Sequence, residues 1–236
     1  MQFIPVRTPT LTPPQDDLLA VLDTVLPTLC ERDIVLVSSK VVAIHQGRCV
    51  AKDTVNKADL IAAEAEMVIP RSYWKTPLTI TNHAFISGAG IDESNGSGYY
   101  VLLPEKPFSF AQLLHEFLRQ KYKLKELGII ITDSHSTPFR LGASGVALAW
   151  WGIDPLRDHR GRADLFGRKI KAERSNLVDG LAAGATVLAG EVDESTPVII
   201  ARDVPGVTYL EGLTRDRLFT EYQDDTFRVL YENWLP

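Results

Sequence analysis

The sequence is poor in cysteine, has no surplus of positive charge and contains no long apolar run. Its two cysteines, Cys30 and Cys49, make a disulfide framework unlikely and indicate a reducing compartment. A formal net charge of -5 gives no general reason to expect a nucleic-acid partner. The longest uncharged stretch near the middle, residues 141–153, is too short to span a bilayer, and the amino terminus shows no signal-peptide pattern. We therefore expect a cytoplasmic protein without membrane or nucleic-acid partners.

Several common catalytic motifs are also missing. The sequence contains no Gly-x4-Gly-Lys-Ser/Thr phosphate loop, no complete dinucleotide fingerprint, no Gly-x-Ser-x-Gly elbow and no His-Glu-x-x-His zinc motif. It has no internal repeat and no clear linker. At 236 residues it can bury a sizeable core, so we expect a single domain over residues 1–236, or two interleaved subdomains within it.

A stretch rich in glycine and oxygen-bearing side chains, residues 87–98, follows an apolar run. Glycine allows positive φ angles and close approach of the backbone to a ligand. Asp92, Glu93, Ser94 and Asn95 supply hard oxygen donors, which suit Mg²⁺, Mn²⁺ or Ca²⁺ rather than zinc. A solvated loop would have the same composition, and the calcium-loop pattern is not matched.

Two apolar runs, residues 33–37 and 128–132, predict buried strands, and each leads into polar residues. Ser38 or Ser39 could cap a short helix after the first run, which would place Lys40 beside backbone donors suited to phosphate. Asp133 is predicted at the carboxyl end of the second strand, where α/β sheets meet their ligands. The alternatives are a surface lysine and a turn-forming aspartate.

Basic residues are concentrated in residues 157–174, which contain seven Arg/Lys against three Asp/Glu. Arginine is suited to bidentate recognition of phosphate or carboxylate, although a solvated charged hairpin would look similar. Helical spacing predicts helices over residues 56–67 and 108–124, and the carboxyl-terminal region predicts a helix near 216–222 and a strand at 227–230. Acids on separate strands, a lysine and an arginine-rich segment together favour metal-assisted phosphoryl transfer.

The sequence resembles the coenzyme F420-0:L-glutamate (γ-glutamyl) ligases in a series of motifs that occur in order over about residues 30 to 205. The motifs are residues 33–35, 39–42, 47–48, 89–95 with 102–104, 131–134 with 138–140, 142–147, 158–161 with 164–168, 190–191 and 197–200. The resemblance implies an α+β fold with a mixed sheet in an intertwined homodimer, with the active site in a cleft near the dimer interface. It also implies GTP-dependent amide formation between the terminal carboxylate of a deazaflavin precursor and L-glutamate. Mn²⁺ or Mg²⁺ would be required, with K⁺ as a further candidate.

Carried over by position, the resemblance implies two sets of site residues. Asp92 and Asp133 would be catalytic metal ligands, assisted by Ser134 and Glu191, and Lys40 would be catalytic beside them. The nucleotide and the substrates would be bound by Ser39, Lys40, Arg140, Arg160, Asp164 and Arg168.

The sequence departs from the family pattern mainly where the acceptor would bind. Ser136-Thr137 stands where the family usually has Gly-Arg, and Trp150-Trp151 is bulky where the family is small. Two alternatives therefore stay open: a divergent ligase acting on another carboxylate, and a catalytically silent protein that binds nucleotide or metal.

Overall fold

The structure is a computed structural model that describes residues 1–234 of the chain. The helices and strands run in the order β1 (Gln2–Val6), α1 (Leu18–Val25), β2 (Ile34–Ser38), α2 (Ser39–His45), β3 (Cys49–Ala51), α3 (Lys57–Glu64), β4 (Met67–Ile69), β5 (Leu78–Thr81), β6 (Ala84–Ser87), β7 (Tyr99–Val101), α4 (Pro107–Tyr122), β8 (Gly128–Ser136), β9 (Ala143–Trp151), β10 (Leu156–Asp158), β11 (Arg174–Asn176), α5 (Leu177–Ala189) and β12 (Val198–Arg202).

A mixed five-stranded sheet, in the order β1-β12-β2-β8-β9, forms the centre of the chain. Strands β2 and β8 are parallel, and the other neighbouring pairs are antiparallel. Smaller sheets are formed by β4-β5-β6, by β3-β7 and by β10-β11. This arrangement confirms a mixed α+β fold with a mixed sheet.

The central strands are buried on both faces because their apolar runs leave no polar face for solvent. Val35 and Ile129 pack with α1, α2 and α4 in one cluster, whereas Ile34 and Ile130 pack with α5 in another. Helix α5 lies very close to β9, since a Cβ atom at Gly145 would come within 2.2 Å of the Ala182 carbonyl oxygen. The result is a sheet with helices on both faces.

The position predicted for Asp133 requires a correction. We expected it at the end of a strand, but β8 continues to Ser136. The reason is that β8 stays paired with the antiparallel strand β9 as far as Ser136 and Ala143, with an irregularity after Ile131. The parallel neighbour β2 does end here, where Ser38 pairs with Thr132. Asp133 therefore lies inside its own strand but just beyond the end of β2.

Two other segments differ from the prediction. The helix expected over 56–67 ends at Glu64. Met67–Ile69 instead forms strand β4, which pairs with β5 and has alternately buried and exposed side chains. The carboxyl-terminal region contains short 3-10 turns at Arg215–Arg217, Tyr222–Asp224 and Arg228–Leu230 instead of a helix and a strand. These turns contribute Tyr222 and Tyr231 to an apolar cluster with the small β4-β5-β6 sheet. Among residues 1–234, no helix has the length and apolar character needed to cross a membrane.

Candidate active site

The first two residues of α2 hold two carboxylates that lie far apart in the sequence. The Ser39 hydroxyl donates a hydrogen bond to Oδ1 of Asp133 over 3.0 Å. The ammonium group of Lys40 lies 2.5 Å from Oδ2 of Asp92. This arrangement follows from the sheet, because Ser39 and Asp133 each come directly after the last pair of the parallel β2–β8 ladder. The structure thus brings Ser39, Lys40, Asp92 and Asp133 together.

The glycine-rich stretch positions Asp92 through its backbone. The backbone N–H and carbonyl groups of Asp92 both pair with those of Val101, over 2.9 and 3.0 Å. Residues 88–90 before it turn tightly, with φ of +61° at Gly88, +56° at Ala89 and +68° at Gly90. Because non-glycine residues rarely adopt positive φ, the turn depends on its glycines.

Ser94 completes the shell around Asp92. Its backbone N–H and its hydroxyl donate to Oδ1 of Asp92 over 2.7 and 2.9 Å. The same hydroxyl lies 3.1 Å from the Lys40 ammonium, so Ser94 contacts both members of the ion pair. Glu93 points elsewhere, to Lys57 and Lys52. Only some of the oxygen donors in the stretch therefore face Lys40.

The loop that follows α5 reaches the same place. The Ser134 hydroxyl donates to Oε2 of Glu191 over 3.4 Å, and the Asn95 side-chain amide donates to the Val192 carbonyl over 2.8 Å. The close packing of α5 on β9 supports this approach, since Ser134 pairs with Gly145 in the ladder. Ser134 and Glu191 therefore contact each other, and their membership of a metal site stays a prediction.

The two aspartates have opposite pKa shifts. Burial raises the pKa of Asp133 to about 6, and the negative charge of Asp92 acts in the same direction against the hydrogen bonds from Ser39 and the Ser134 backbone. Burial also raises the pKa of Asp92, but the hydrogen bonds from Lys40 and Ser94 outweigh it, so the net pKa lies below its ordinary value. The site therefore holds one well-compensated carboxylate beside one that lacks a cation of its own.

The carboxylates of the cluster fit a divalent cation whose coordination is completed by a bound substrate and water. Within residues 1–234, no group of three or more His, Cys, Asp or Glu side chains is close enough together to hold a metal ion by itself. Mg²⁺ is commonly bound by one or two carboxylates together with substrate phosphates and water. Asp92 and Asp133 would supply such a pair, and burial together with the negative charge of Asp92 raises the pKa of Asp133.

The remaining predicted residues make their hydrogen bonds within their own segments. Arg140 lies in an exposed loop, where its guanidinium donates to the Phe139 carbonyl over 3.3 Å. Arg160 pairs with Asp158 next to it. The carboxylate of Asp164 accepts the backbone N–H groups of Phe166 and Arg168. Among residues 1–234, these arginines and Asp164 make no hydrogen bond to the Asp92–Asp133 cluster.

Ser94 and Asn95 were predicted as oxygen donors for a cation, but their partners were not predicted. Ser94 bridges Lys40 and Asp92, and Asn95 donates its side-chain amide to the loop after α5. The start of α2, the glycine-rich acidic loop and the part of β8 beyond the end of β2 together form the candidate site.

The comparisons with known proteins name the family. The family model described as F420-0:Gamma-glutamyl ligase matches residues 5–203. The coenzyme F420:L-glutamate ligase of Methanococcus maripaludis strain C6 is 32% identical over 245 residues, covering 97% of both chains. The corresponding ligase of Methanocaldococcus jannaschii is 33% identical, covering 90% of this chain and 84% of its own, and that of Haloarcula marismortui is 35% identical, covering 75% and 67%. The chain belongs to the F420-0:γ-glutamyl ligase family and is an enzyme of that class.

Proposed function

We propose that the protein joins L-glutamate to the terminal carboxylate of coenzyme F420-0 in a GTP-dependent reaction that requires Mn²⁺ or Mg²⁺. The observation that carries the proposal is that two consecutive residues of α2 contact the two aspartates: Ser39 bonds Asp133, and Lys40 pairs with Asp92. Family membership and the names of the relatives support the substrates.

The reaction needs an activated carboxylate, because condensing a carboxylate with an amine in water is unfavourable. A carboxylate oxygen of the acceptor forms a bond to the γ-phosphorus of GTP, the bond from that phosphorus to the bridging oxygen breaks, and GDP leaves. The glutamate nitrogen then bonds to the acyl carbon, the carbon–oxygen bond to phosphate breaks, and the amine releases its proton to solvent. Inorganic phosphate is the second leaving group.

The residues of the cluster have separate parts in this scheme. Asp92 and Asp133, with Ser134 and Glu191, would hold the divalent cation, which supplies neutralisation of phosphate charge when bound. Lys40 would contact phosphate oxygens from its position at the start of α2, and Ser39 keeps Asp133 oriented toward the same space. Arg140, Arg160, Asp164 and Arg168 remain predicted contacts to nucleotide or substrate.

A homodimer is part of the proposal because apolar side chains protrude near these remaining residues. Four of them are almost fully exposed in the single chain, in the loop after β8 and between β10 and β11: Phe139, Leu141, Leu165 and Phe166. Apolar side chains clustered in this way mark contact surfaces. A second copy of the chain would cover them. Light scattering of the purified protein should give twice the mass of the chain.

Of the two bulky departures from the family pattern, Trp150 does not alter the site. Its side chain is buried, its indole N–H donates to the Thr214 hydroxyl over 2.8 Å, and it packs edge-on against Phe108. Trp150 is therefore part of the core. Ser136 and Thr137 lie at the end of β8, near the loop that carries Arg140. Because this departure lies where the acceptor would bind, the acceptor is identified by the experiment below.

The test is mass spectrometry of a mixture of protein, coenzyme F420-0, L-glutamate, GTP and Mn²⁺ or Mg²⁺. The expected products are glutamylated coenzyme, GDP and phosphate, formed only when every component is present. Ligation of glutamate to another carboxylate, with none to F420-0, would favour the divergent ligase. Binding of GTP and metal without turnover on any acceptor would favour the silent homologue.

A further inference from the structure

Two adjoining cavities form a groove along the free edge of β9. They measure about 240 and 330 Å³ and share Asn82, His83 and Phe219. Their walls are the β5–β6 turn, part of β9, the starts of α4 and α5, and the carboxyl-terminal segment from Arg215 to Tyr231. That last wall lies beyond the region matched by the family model, which ends at residue 203.

The groove is polarised along its length. Lys106 and Arg215 line one cavity, whose single carboxylate, Glu66, already accepts the Tyr222 hydroxyl and the Asn82 backbone N–H. Within residues 1–234, no carboxylate lies within salt-bridge distance of Arg215. Asp179 and Asp225 line the other cavity. A molecule with an anionic end and an amino end would match this pattern.

His83 fixes the narrow part of the groove. Asn82 and His83 form the two-residue β5–β6 turn with positive φ at both positions, a conformation in which Asn and Gly are usual and His is uncommon. The His83 ring stacks on Phe219 with centroids 4.6 Å apart and planes 6° from parallel, and Nε2 contacts the Arg215 guanidinium. Burial and the positive charge of Arg215 lower the pKa of His83, so the neutral ring can accept a hydrogen bond from Arg215.

The carboxylate-lined cavity begins one strand away from the acid cluster. Val146, which lines it, stands directly opposite Asp133 in the β8–β9 ladder. Residues directly opposite each other in an antiparallel pair point to the same face, with Cβ atoms about 5 Å apart. The groove therefore reaches the residue that neighbours Asp133 in the sheet, and Asp133 itself lines neither cavity.

We propose that this groove binds the amino-acid substrate, with its side-chain carboxylate at Lys106 and Arg215 and its amino group towards Asp179, Asp225 and Val146. The assignment rests on the proposed function, to which it adds a location for L-glutamate. It accounts for the distribution of charge in the groove: Lys106, 3.9 Å from Glu105, and Arg215 line one end, and Asp179 and Asp225, which already accept hydrogen bonds, line the other. It also brings the attacking nitrogen to β9, the strand that pairs with the strand of Asp133.

The first test is Arg215→Gln, measured against the matched control Arg228→Gln. Arg228 lies in the same segment but does not line the groove, and it lies 3.8 Å from Glu232. Loss of a charged hydrogen bond raises a dissociation constant about 10- to 100-fold. Arg215→Gln should raise the KM for glutamate by that factor, with the KM for GTP unchanged, and Arg228→Gln should change neither. An unchanged KM for glutamate in Arg215→Gln would overturn the assignment.

A second variant guards against misfolding. His83→Gly creates an Asn-Gly turn, which suits the observed backbone better than the native residue does. The variant should fold, retain GTP binding and lose affinity for glutamate. Normal glutamate affinity in a folded His83→Gly protein would also contradict the assignment.

Direct calorimetry separates this assignment from the proposed function. If the wild-type protein ligates no glutamate to any acceptor, the proposed function fails. Titration with L-glutamate alone then decides the groove: binding by wild type that is weakened in Arg215→Gln supports it. Equal binding by both proteins, or no binding by wild type, rejects it.

Discussion

Asp92 and Asp133 carry the same charge in the same cluster, yet the chain treats them differently. Asp92 sits on a glycine-rich loop with Lys40 and Ser94 around its carboxylate, and its pKa is lowered. Asp133 sits in the central sheet with one hydroxyl partner, and burial raises its pKa to about 6. The comparison teaches that the loop surrounds Asp92 with a cation and hydrogen-bond donors, whereas Asp133, among residues 1–234, has no salt bridge in the sheet.

The largest effect should come from removing the charge of Asp133. Asp133→Asn keeps the size of the side chain but should lower turnover by at least about a hundredfold. The metal ion that would neutralise charge in the transition state would lose a carboxylate ligand. The folded state should be no less stable at neutral pH, since the buried charge is gone. Turnover assays and thermal melts of the same preparations would check both.

Asp23→Asn is a suitable control for that experiment. Asp23 pairs with Lys121 over 2.8 Å at the end of α1 and belongs to no predicted site. It should leave turnover unchanged. Full activity in a folded Asp133→Asn protein would show that Asp133 is not part of the site, and the proposed difference from Asp92 would be wrong.

Asp92→Asn should lower both activity and stability, in contrast to Asp133→Asn. The change breaks the ion pair with Lys40, whose side chain is only 24% exposed. Because Asp92 itself is partly exposed, the loss in the free energy of unfolding should be about 1 kcal/mol or less. Urea unfolding of the metal-free protein measures it, and a stabilising Asp92→Asn change would show that Lys40 does not compensate Asp92.

A further contrast between the two aspartates is a dependence on pH. The pKa of Asp133 in the folded protein, about 6, lies above the ordinary value of 3.8, so the folded state binds the proton more tightly. Its contribution to stability is present at pH below about 4 and is lost as the pH rises through 6. The stability of Asp133→Asn relative to wild type should therefore increase between pH 4 and 7 and then level off. Melts in chelator across that range provide the measurement, and a flat difference would contradict the raised pKa.

The centre of the site could be predicted because it depends on local patterns. Two apolar runs indicated buried strands, and Lys40 and Asp133 were predicted just after them, where α/β sheets meet their ligands. The structure added that β2 and β8 are parallel neighbours, which brings Ser39 and Asp133 together. The length of β8 could not be predicted, since it depends on pairing with β9 and on the irregularity after Ile131.

The periphery was harder because no period or motif governs it. The segment from Arg215 to Trp234 forms 3-10 turns that are held by the aromatic rings of Tyr222 and Tyr231 rather than by a repeating pattern. Leu113 also shows this limit: this apolar residue of α4 is 46% exposed, whereas the polar His115 in the same helix is buried. Whether such a side chain is buried depends on which other segment of the chain packs against it, and local sequence patterns do not predict that packing.

The anchors Ser39 and Lys40 begin a helix of only seven residues, and the next four, Val41 to Ile44, are all buried. Well-packed interiors resist small deformations. The distance between the carboxylates of Asp92 and Asp133 is consequently set by the buried side chains of α2, which lie beneath the site. A change in the volume of Val42 is therefore expected to alter the spacing of the two carboxylates, and with it the size of the cation that the proposed site would hold.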